Sequence, residues 1–167
     1  MSLHLFLGAM NLLCDILEKM LEILSTILKA QDWYKSCSVS RDSHYGGSSQ
    51  FNGPQCHKLL ANRNKLVSLL IEKELLGQCK PIMNAFDSLY NMVRSCFGIV
   101  LYPRYTDDIR AFADSIYNLI IFCDNHNIKQ NIIPKFHAIF VHIKQFIELK
   151  KETHNLEFGI GFYSEQR

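Results

Sequence analysis

The carboxylate near the end of the sequence is the first residue whose chemistry is worth weighing. Glu165 follows a glycine-rich aromatic segment, residues 159–163, and two residues come after it. Cleavage of a phosphodiester bond by two metal ions needs several carboxylates around a pair of Mg²⁺ ions. A lone glutamate cannot hold that pair, and the beginning of the sequence offers no partner for it. We therefore predict no catalytic residue, no metal site and no cofactor, with Glu165 as a relic ligand at most.

Histidines and cysteines are the other residues that could bind a metal or act as nucleophiles. His137 and His142 are five residues apart, whereas the helical zinc motif needs a spacing of four. We interpret them as core or hydrogen-bonded histidines. Cys56 and His57 are adjacent in a predicted helix, so their side chains point to different faces and pair poorly as nucleophile and base. A cysteine–histidine hydrolase is a distant third hypothesis, which a thiol-reactive probe on Cys56 would test.

Lysines towards the C-terminus could contact a phosphate backbone. The candidate DNA-binding residues are Lys129, Lys135, Lys144, Lys150 and Lys151. The net charge of +2 and the isoelectric point near 8.2 are too mild to argue for nucleic acid by themselves. A solvated helix face is the competing and more common interpretation of such lysines.

Composition is typical of one intracellular globular domain over residues 1–167. Hydrophobic residues make up 48% and charged residues 20% of the chain, which is too apolar for disorder. The six cysteines are scattered without a Cys-x-x-Cys pair, which favours reduced thiols in the cytoplasm or nucleus. The apolar stretch 3–13 has no basic residue before it, and Asp15 and Glu18 soon interrupt it. We therefore expect neither a signal peptide nor a membrane span.

Apolar residues recur at helical spacing through almost the whole chain. We predict an all-α bundle of about five helices with mostly antiparallel neighbours. The predicted helices cover about 3–29, 55–75, 81–97, 107–124 and 134–151. Between the first two lies a long polar loop, residues 36–53, which Tyr45 and Phe51 pin to the body of the domain. The tail, residues 156–163, is predicted to be a short extended segment.

Three segments of the sequence together resemble the pattern of a known class of proteins. Residues 1–11 resemble an Asp-x-Leu-His-Leu-x-Leu-Gly-x-x-Asn segment whose leading acid is missing. Residues 44–60 resemble a block that reads His-Gly-Gly, then Phe-x-Gly-Asn-x-Cys-x-Lys-Leu-Leu. Residues 134–137, His142 and residues 159–166 resemble an ending that reads Pro-Lys-x-His, His, then Gly-x-Gly-x-x-Ser-Glu-Gln. Their order and spacing carry more weight than any one of them.

The segments are similar to uncharacterised proteins of invertebrate mobile elements, which look like cut-and-paste transposases. The resemblance covers nearly the whole chain. Such transposases have a ribonuclease-H-like core with a helical insertion before the final catalytic glutamate, so the resemblance implies that this chain is mostly that insertion. Glu165 matches the Ser-Glu-Gln position, while Met1 and Ser2 stand where an earlier acid would be. The resemblance therefore implies an inactive relative.

We expect a truncated or domesticated transposase-derived helical domain that is not an enzyme. Such a domain would retain weak DNA binding or self-association into a homodimer. The alternative is a repurposed viral or host interaction module that binds a protein partner through an apolar helical surface. A non-functional fragment is a further alternative. Salt-sensitive DNA binding would favour the first hypothesis, and a stable complex that is indifferent to DNA would favour the second.

Overall fold

The computed structural model describes residues 2–41, 50–97 and 102–129 and the single positions 136, 141, 145 and 148. Every regular element among these residues is a helix, which confirms the all-α fold class. The helices are α1 (Ser2–Leu24), α2 (Ala30–Ser36), α3 (Gly53–Ala61), α4 (Arg63–Glu72), α5 (Lys80–Met92) and α6 (Tyr105–Asn125). A π-helical turn, Val93–Phe97, continues α5. The helices α5 and α6 form the most extensive pair, and α1 packs against α2, α3 and α5.

The predicted first helix, 3–29, is wrong at its C-terminal end. The helix α1 ends at Leu24, and α2 is a separate helix. Ser25 causes the break, because its hydroxyl accepts the backbone N–H of Leu28 at 3.0 Å and so replaces a helical hydrogen bond. The apolar residues on both sides of this serine keep their helical spacing, so the sequence pattern does not reveal the turn.

The predicted second helix, 55–75, is likewise two helices, so the described residues contain six α-helices where four of the five predicted helices fall. Asn62 separates α3 from α4 with φ −105° and ψ 25°. Its backbone carbonyl accepts a hydrogen bond from the indole Nε1–H of Trp33 at 3.2 Å. In a continuous helix this carbonyl would accept the backbone N–H four residues later. The helix α4 ends at Glu72, two residues before Glu74 adopts a left-handed conformation with φ 58°.

Aromatic side chains fill the centre of the bundle. Trp33 is fully buried and meets the ring of Phe86 edge-on, with 5.5 Å between ring centroids. Tyr34 meets the ring of Phe51 in the same way at 4.9 Å. Such edge-to-face pairs add to the stabilisation that comes from area burial. The surrounding aliphatic core includes Leu13, Ile16, Leu17, Met20, Leu59, Leu66, Ile82 and Leu89.

The end of the polar loop is fixed to α1 by one side chain. The Oδ1 atom of Asn11 accepts the backbone N–H of Phe51 at 2.8 Å, and its Nδ2 atom donates to the carbonyl of Phe51 at 3.2 Å. Nδ2 also donates to the carbonyl of Leu7 at 2.9 Å. The amide therefore pairs with both backbone groups of one residue, as a neighbouring strand would. Phe51 is buried as expected, whereas Tyr45 lies outside the described residues.

The described start of the loop is held to the same helix by charge. The Nη1 atom of Arg41 lies 2.8 Å from Oδ1 of Asp15 and 3.3 Å from Oε2 of Glu18. Its guanidinium also lies over the ring of Phe51, 4.8 Å from the centroid. Burial raises the pKa of Glu18, and the nearby guanidinium of Arg41 opposes that rise. The two ends of the loop are thus tied together on one face of α1.

Only part of the predicted C-terminal region can be compared with the structure. The predicted helix 134–151 and the tail 156–163 lie outside the described residues, apart from single positions. Two of these positions contact α6. Phe136 is buried edge-on against Phe112 at 5.3 Å, and the hydroxyl of Tyr105 donates to Glu148 Oε1 at 2.7 Å.

The described helices have no membrane-spanning candidate among them. None of them is both long enough and apolar enough to cross a bilayer.

Replacing Asn11 tests how much the loop clamp contributes to stability. Asn11→Ala removes both bonds to Phe51, which leaves the buried backbone N–H of Phe51 without a partner and its carbonyl with only a weak bond from the Cys56 thiol at 3.8 Å. We expect the free energy of unfolding to fall by about 3 kcal/mol, since each buried unsatisfied group costs about 1–3 kcal/mol. Urea unfolding followed by circular dichroism measures the change. The matched control is Asn118→Ala, at an exposed position of α6, which should shift stability by no more than about 0.5 kcal/mol. Equal effects of the two substitutions would contradict the clamp.

Candidate nucleic-acid interface

The C-terminal end of α5 carries an aromatic ring that two arginines approach. The guanidinium of Arg63 lies 3.9 Å from the ring centroid of Tyr90, and that of Arg94 lies 5.6 Å from it. Arg63 is the first residue of α4, directly after the break at Asn62. We call Arg63, Tyr90, Arg94 and Arg104 the arginine strip. Its members come from three segments that are separate in sequence: α4, α5 with its π-helical turn, and the residue before α6.

Arg63 is held in place by three interactions. Its Nε atom pairs with Oδ1 of Asp87 at 2.7 Å, and its Nη1 atom donates to the carbonyl of Leu60 at 3.0 Å. Its planar group then covers Tyr90, an arrangement that combines cation–π attraction with stacking. The side chain is therefore ordered before any ligand arrives.

Arg94 differs from its neighbours in the strip because its charge is less compensated. It lies in the π-helical turn and is exposed. Within the described part of the chain it forms no ion pair, whereas Arg63 pairs with Asp87 and Arg104 lies 3.5 Å from Asp108. A π-helical turn is uncommon and often marks a functional position in a helix. Arg94 is the best-placed cation of the strip for an external anion.

A cavity of about 470 Å³ opens beside Arg94, between the π-helical turn and the start of α6. The backbone N–H of Tyr102 donates to the carbonyl of Ser95 at 3.0 Å and so joins the two elements at the cavity. Asp108 is buried in its wall, while Arg104 is mostly exposed at its rim. The lining residues are Asn91, Arg94, Ser95, Tyr102, Pro103, Arg104 and Asp108.

The lysines predicted from the sequence lie elsewhere or outside the described residues. Lys129 is exposed after the end of α6, and its carbonyl accepts a hydrogen bond from Nζ of Lys19 at 2.8 Å. The structure does not bring Lys129 to the arginine strip among the contacts it describes. Lys135, Lys144, Lys150 and Lys151 are not among the described residues, and neither are the relic candidate Glu165 and the histidines His137 and His142.

The environment of Cys56 is unfavourable for a nucleophile. Burial raises the pKa of the Cys56 thiol to about 12, with the charge of Arg41 opposing, so the thiolate is scarce at neutral pH. His57 is exposed and packs on the ring of Phe6 at 4.4 Å. The adjacent residues do point to different faces of α3, as expected.

The described cysteines behave as core residues. Five of them are buried with free thiols, and burial raises the pKa of Cys79 and of Cys123 to about 11. No group of three or more histidine, cysteine, aspartate or glutamate side chains in the described part of the chain is arranged to hold a metal ion.

The arginines of the strip were missed by the sequence analysis, which followed the C-terminal lysines. Two signals in the sequence could have pointed to them. Tyr90 and Arg94 are four residues apart in one helix and so share a face. In addition, residues 43–71, which include Arg63, contain no aspartate or glutamate. Neither signal predicts that Arg63 and Arg104 meet the same surface, because that requires the tertiary fold.

In comparisons with known proteins, no family model, no curated protein and no solved structure matches this chain. The resemblance to transposases therefore stays a prediction, and only the geometry of the described residues bears on function.

The raised thiol pKa values predict a loss of stability at alkaline pH. In the unfolded chain these thiols ionise near pH 9, whereas in the folded protein Cys79 and Cys123 ionise near pH 11. Their contribution to stability is therefore fully present below about pH 9 and is lost as the pH rises towards 11. We expect the free energy of unfolding to fall continuously between about pH 9 and about 10.5, measured by urea unfolding under reducing conditions. Cys79→Ala lacks one of these thiols and should fall less steeply. A flat profile for the wild type would contradict the burial of these groups.

Proposed function

We propose that this chain is a helical domain that binds nucleic acid through the arginine strip and performs no catalysis. The observation that carries the proposal is the stacking of Arg63 and Arg94 on Tyr90, beside a cavity that Arg94 shares with Arg104. Guanidinium groups bind phosphate oxygens in a bidentate manner, and aromatic rings stack on bases. Cations interleaved with aromatic side chains are therefore a chemistry suited to a nucleic-acid strand.

Local charge supports the proposal better than the net charge of the chain does. The strip has three guanidinium groups against the carboxylates of Asp87 and Asp108. The two carboxylates fix Arg63 and Arg104, while Arg94 stays available to a phosphate. A strip with this small excess of charge suits weak binding that salt weakens further, as expected for a domain that retains part of an ancestral DNA-binding surface.

The resemblance to transposases supports the same proposal independently. In such a parent, the helical insertion would help to hold DNA or a second subunit. Two segments that carry the resemblance are in contact here, since Asn11 belongs to the first and Phe51 to the second. Lys129 and the lysines that follow it would extend the contact with a phosphate backbone if they approach the same strand.

Replacing Arg94 tests the proposal directly. We expect Arg94→Gln to weaken binding to a labelled DNA strand of about 20 nucleotides by about fivefold to tenfold and to lower the slope of log affinity against log salt by about one. Fluorescence anisotropy between about 50 and 200 mM salt measures both quantities. Arg63→Gln should add to the effect, because it removes the second guanidinium from Tyr90.

The matched control is Arg110→Gln, which removes one positive charge from an exposed position of α6 between Asp107 and Asp114 in sequence. It should leave the affinity within about twofold, since Arg110 lies roughly 200° around α6 from Asp108, which lines the cavity, and so faces away from it. Binding that both substitutions weaken equally would indicate attraction to net charge alone and would argue against the strip. Absence of salt-dependent binding by the wild type would overturn the proposed function.

An interaction module is the second candidate, and one feature of α6 favours it. Tyr117 and Ile121 lie one helical turn apart, with 65% and 42% of their surfaces exposed. Under this hypothesis the wild type would form a dimer that is indifferent to DNA and to salt. Replacing both residues by serine would then give a monomer in size-exclusion chromatography with light scattering. A monomeric wild type would exclude self-association through this pair.

A further inference from the structure

The cavity at the end of the strip is larger than a phosphate needs. Its volume of about 470 Å³ lies in the range of sites for small organic ligands, roughly 300–1,000 Å³. A bare phosphate would contact Arg94 or Arg104 and leave most of this space to water. The size therefore indicates a ligand that carries a second, larger group next to its charge.

The lining provides three kinds of contact for that group. The ring of Tyr102 is about half exposed, at 51%, and offers a face on which a flat ring can stack. The amide of Asn91 supplies hydrogen-bond donors and an acceptor for the edge of such a ring. Arg94 and Arg104 supply cationic donors for a phosphate in the same cavity. A flat polar ring joined to a phosphate is the chemistry of a nucleotide.

Asp108 gives the cavity a fixed polar wall. Its side chain is buried, and its Oδ1 atom lies 3.5 Å from Nε of Arg104, one helical turn away. The pairing favours one direction for an otherwise exposed guanidinium. Ser95 is also buried in the wall, where its hydroxyl donates to the carbonyl of Met92 at 3.2 Å. The polar groups that face the ligand are thus supported before it binds.

We infer that this cavity holds one unpaired nucleotide of the bound strand, with its base on Tyr102 and its phosphate between Arg94 and Arg104. The inference rests on the proposed function and adds to it the class of nucleic acid that binds. A base inside a duplex is stacked and paired, so entering the cavity would require unstacking it. A single strand, or a duplex with an unpaired overhang, presents such a base without that cost. The chain should therefore prefer unpaired ends to blunt duplex.

The test compares a blunt duplex with the same duplex carrying a short single-stranded overhang. We expect the wild type to bind the overhang about tenfold more tightly, as stacking of one base on an aromatic side chain predicts. Tyr102→Ala should reduce this preference to about twofold or less, because it removes the ring on which the unpaired base stacks. Fluorescence anisotropy at one fixed moderate salt concentration measures all four affinities.

The matched control is Tyr117→Ala, which removes an exposed tyrosine from α6 that does not line the cavity. It should keep the full preference for the overhang. Tyr102 is half exposed, and thermal unfolding of the variant checks that the fold survives its replacement. If the variant does not fold, Tyr102→Phe gives the second measurement, because it keeps the stacking face and should keep the preference.

Competition with inorganic phosphate and with a nucleoside monophosphate separates the two parts of the ligand. Stronger competition by the monophosphate supports a nucleotide site, whereas equal competition would reduce the cavity to an anion site and overturn the inference. Equal binding of overhang and blunt duplex by the wild type would also overturn it, while leaving the proposed function in place. Absence of binding to any nucleic acid would overturn both.

Discussion

The architecture depends on the two hydrogen bonds between the side-chain amide of Asn11 and the backbone of Phe51. They fix the end of a polar loop to α1, and the next residue, Asn52, begins α3 by accepting the backbone N–H of Gln55 at 3.0 Å. The position of α3 in turn sets that of α4, whose first residue is Arg63. The stacking of Arg63 on Tyr90 is therefore the last step of a sequence of contacts that starts in α1. A change at the clamp would reach the strip without altering any residue of it.

Much of the fold could be predicted from the sequence, because apolar spacing reports which face of a helix is buried. The stripe of α5, which includes Phe86 and Leu89, and the helix α6 follow that spacing closely. Apolar spacing could not reveal the breaks at Ser25 and Asn62, because each involves a hydrogen bond of a polar residue. The hydroxyl of Ser25 accepts one from the backbone, and the carbonyl of Asn62 accepts one from Trp33. The strip was beyond prediction for a related reason. Lysines that are close in sequence attract attention, whereas the arginines approach one another only when α4, α5 and α6 pack.

The carboxylates beside the strip order its arginine side chains, an effect that the net charge does not reveal. Asp87 and Asp108 cancel two of its three positive charges, yet each also removes freedom from a long side chain. A guanidinium that is already ordered loses less conformational entropy when it binds a phosphate. The carboxylates thus weaken the long-range attraction of the strip for anions and fix the orientation of its guanidinium groups. Under the proposed function, this arrangement would favour selection among strand conformations over tight binding to any polyanion, in agreement with the mild net charge of +2.

The buried thiols also affect how the protein withstands oxidation. In the folded state the five described cysteines are shielded, so neither peroxide nor a small disulfide reaches them readily. Unfolding exposes them at the same time as it lowers their pKa values towards those of free thiols, which makes them reactive. Disulfides formed at that moment would link cysteines that are free thiols in the folded protein, and so would oppose refolding. The helical packing therefore protects the thiols from oxidation. In an oxidising medium, the lifetime of the protein is set by its rate of unfolding rather than by its equilibrium stability.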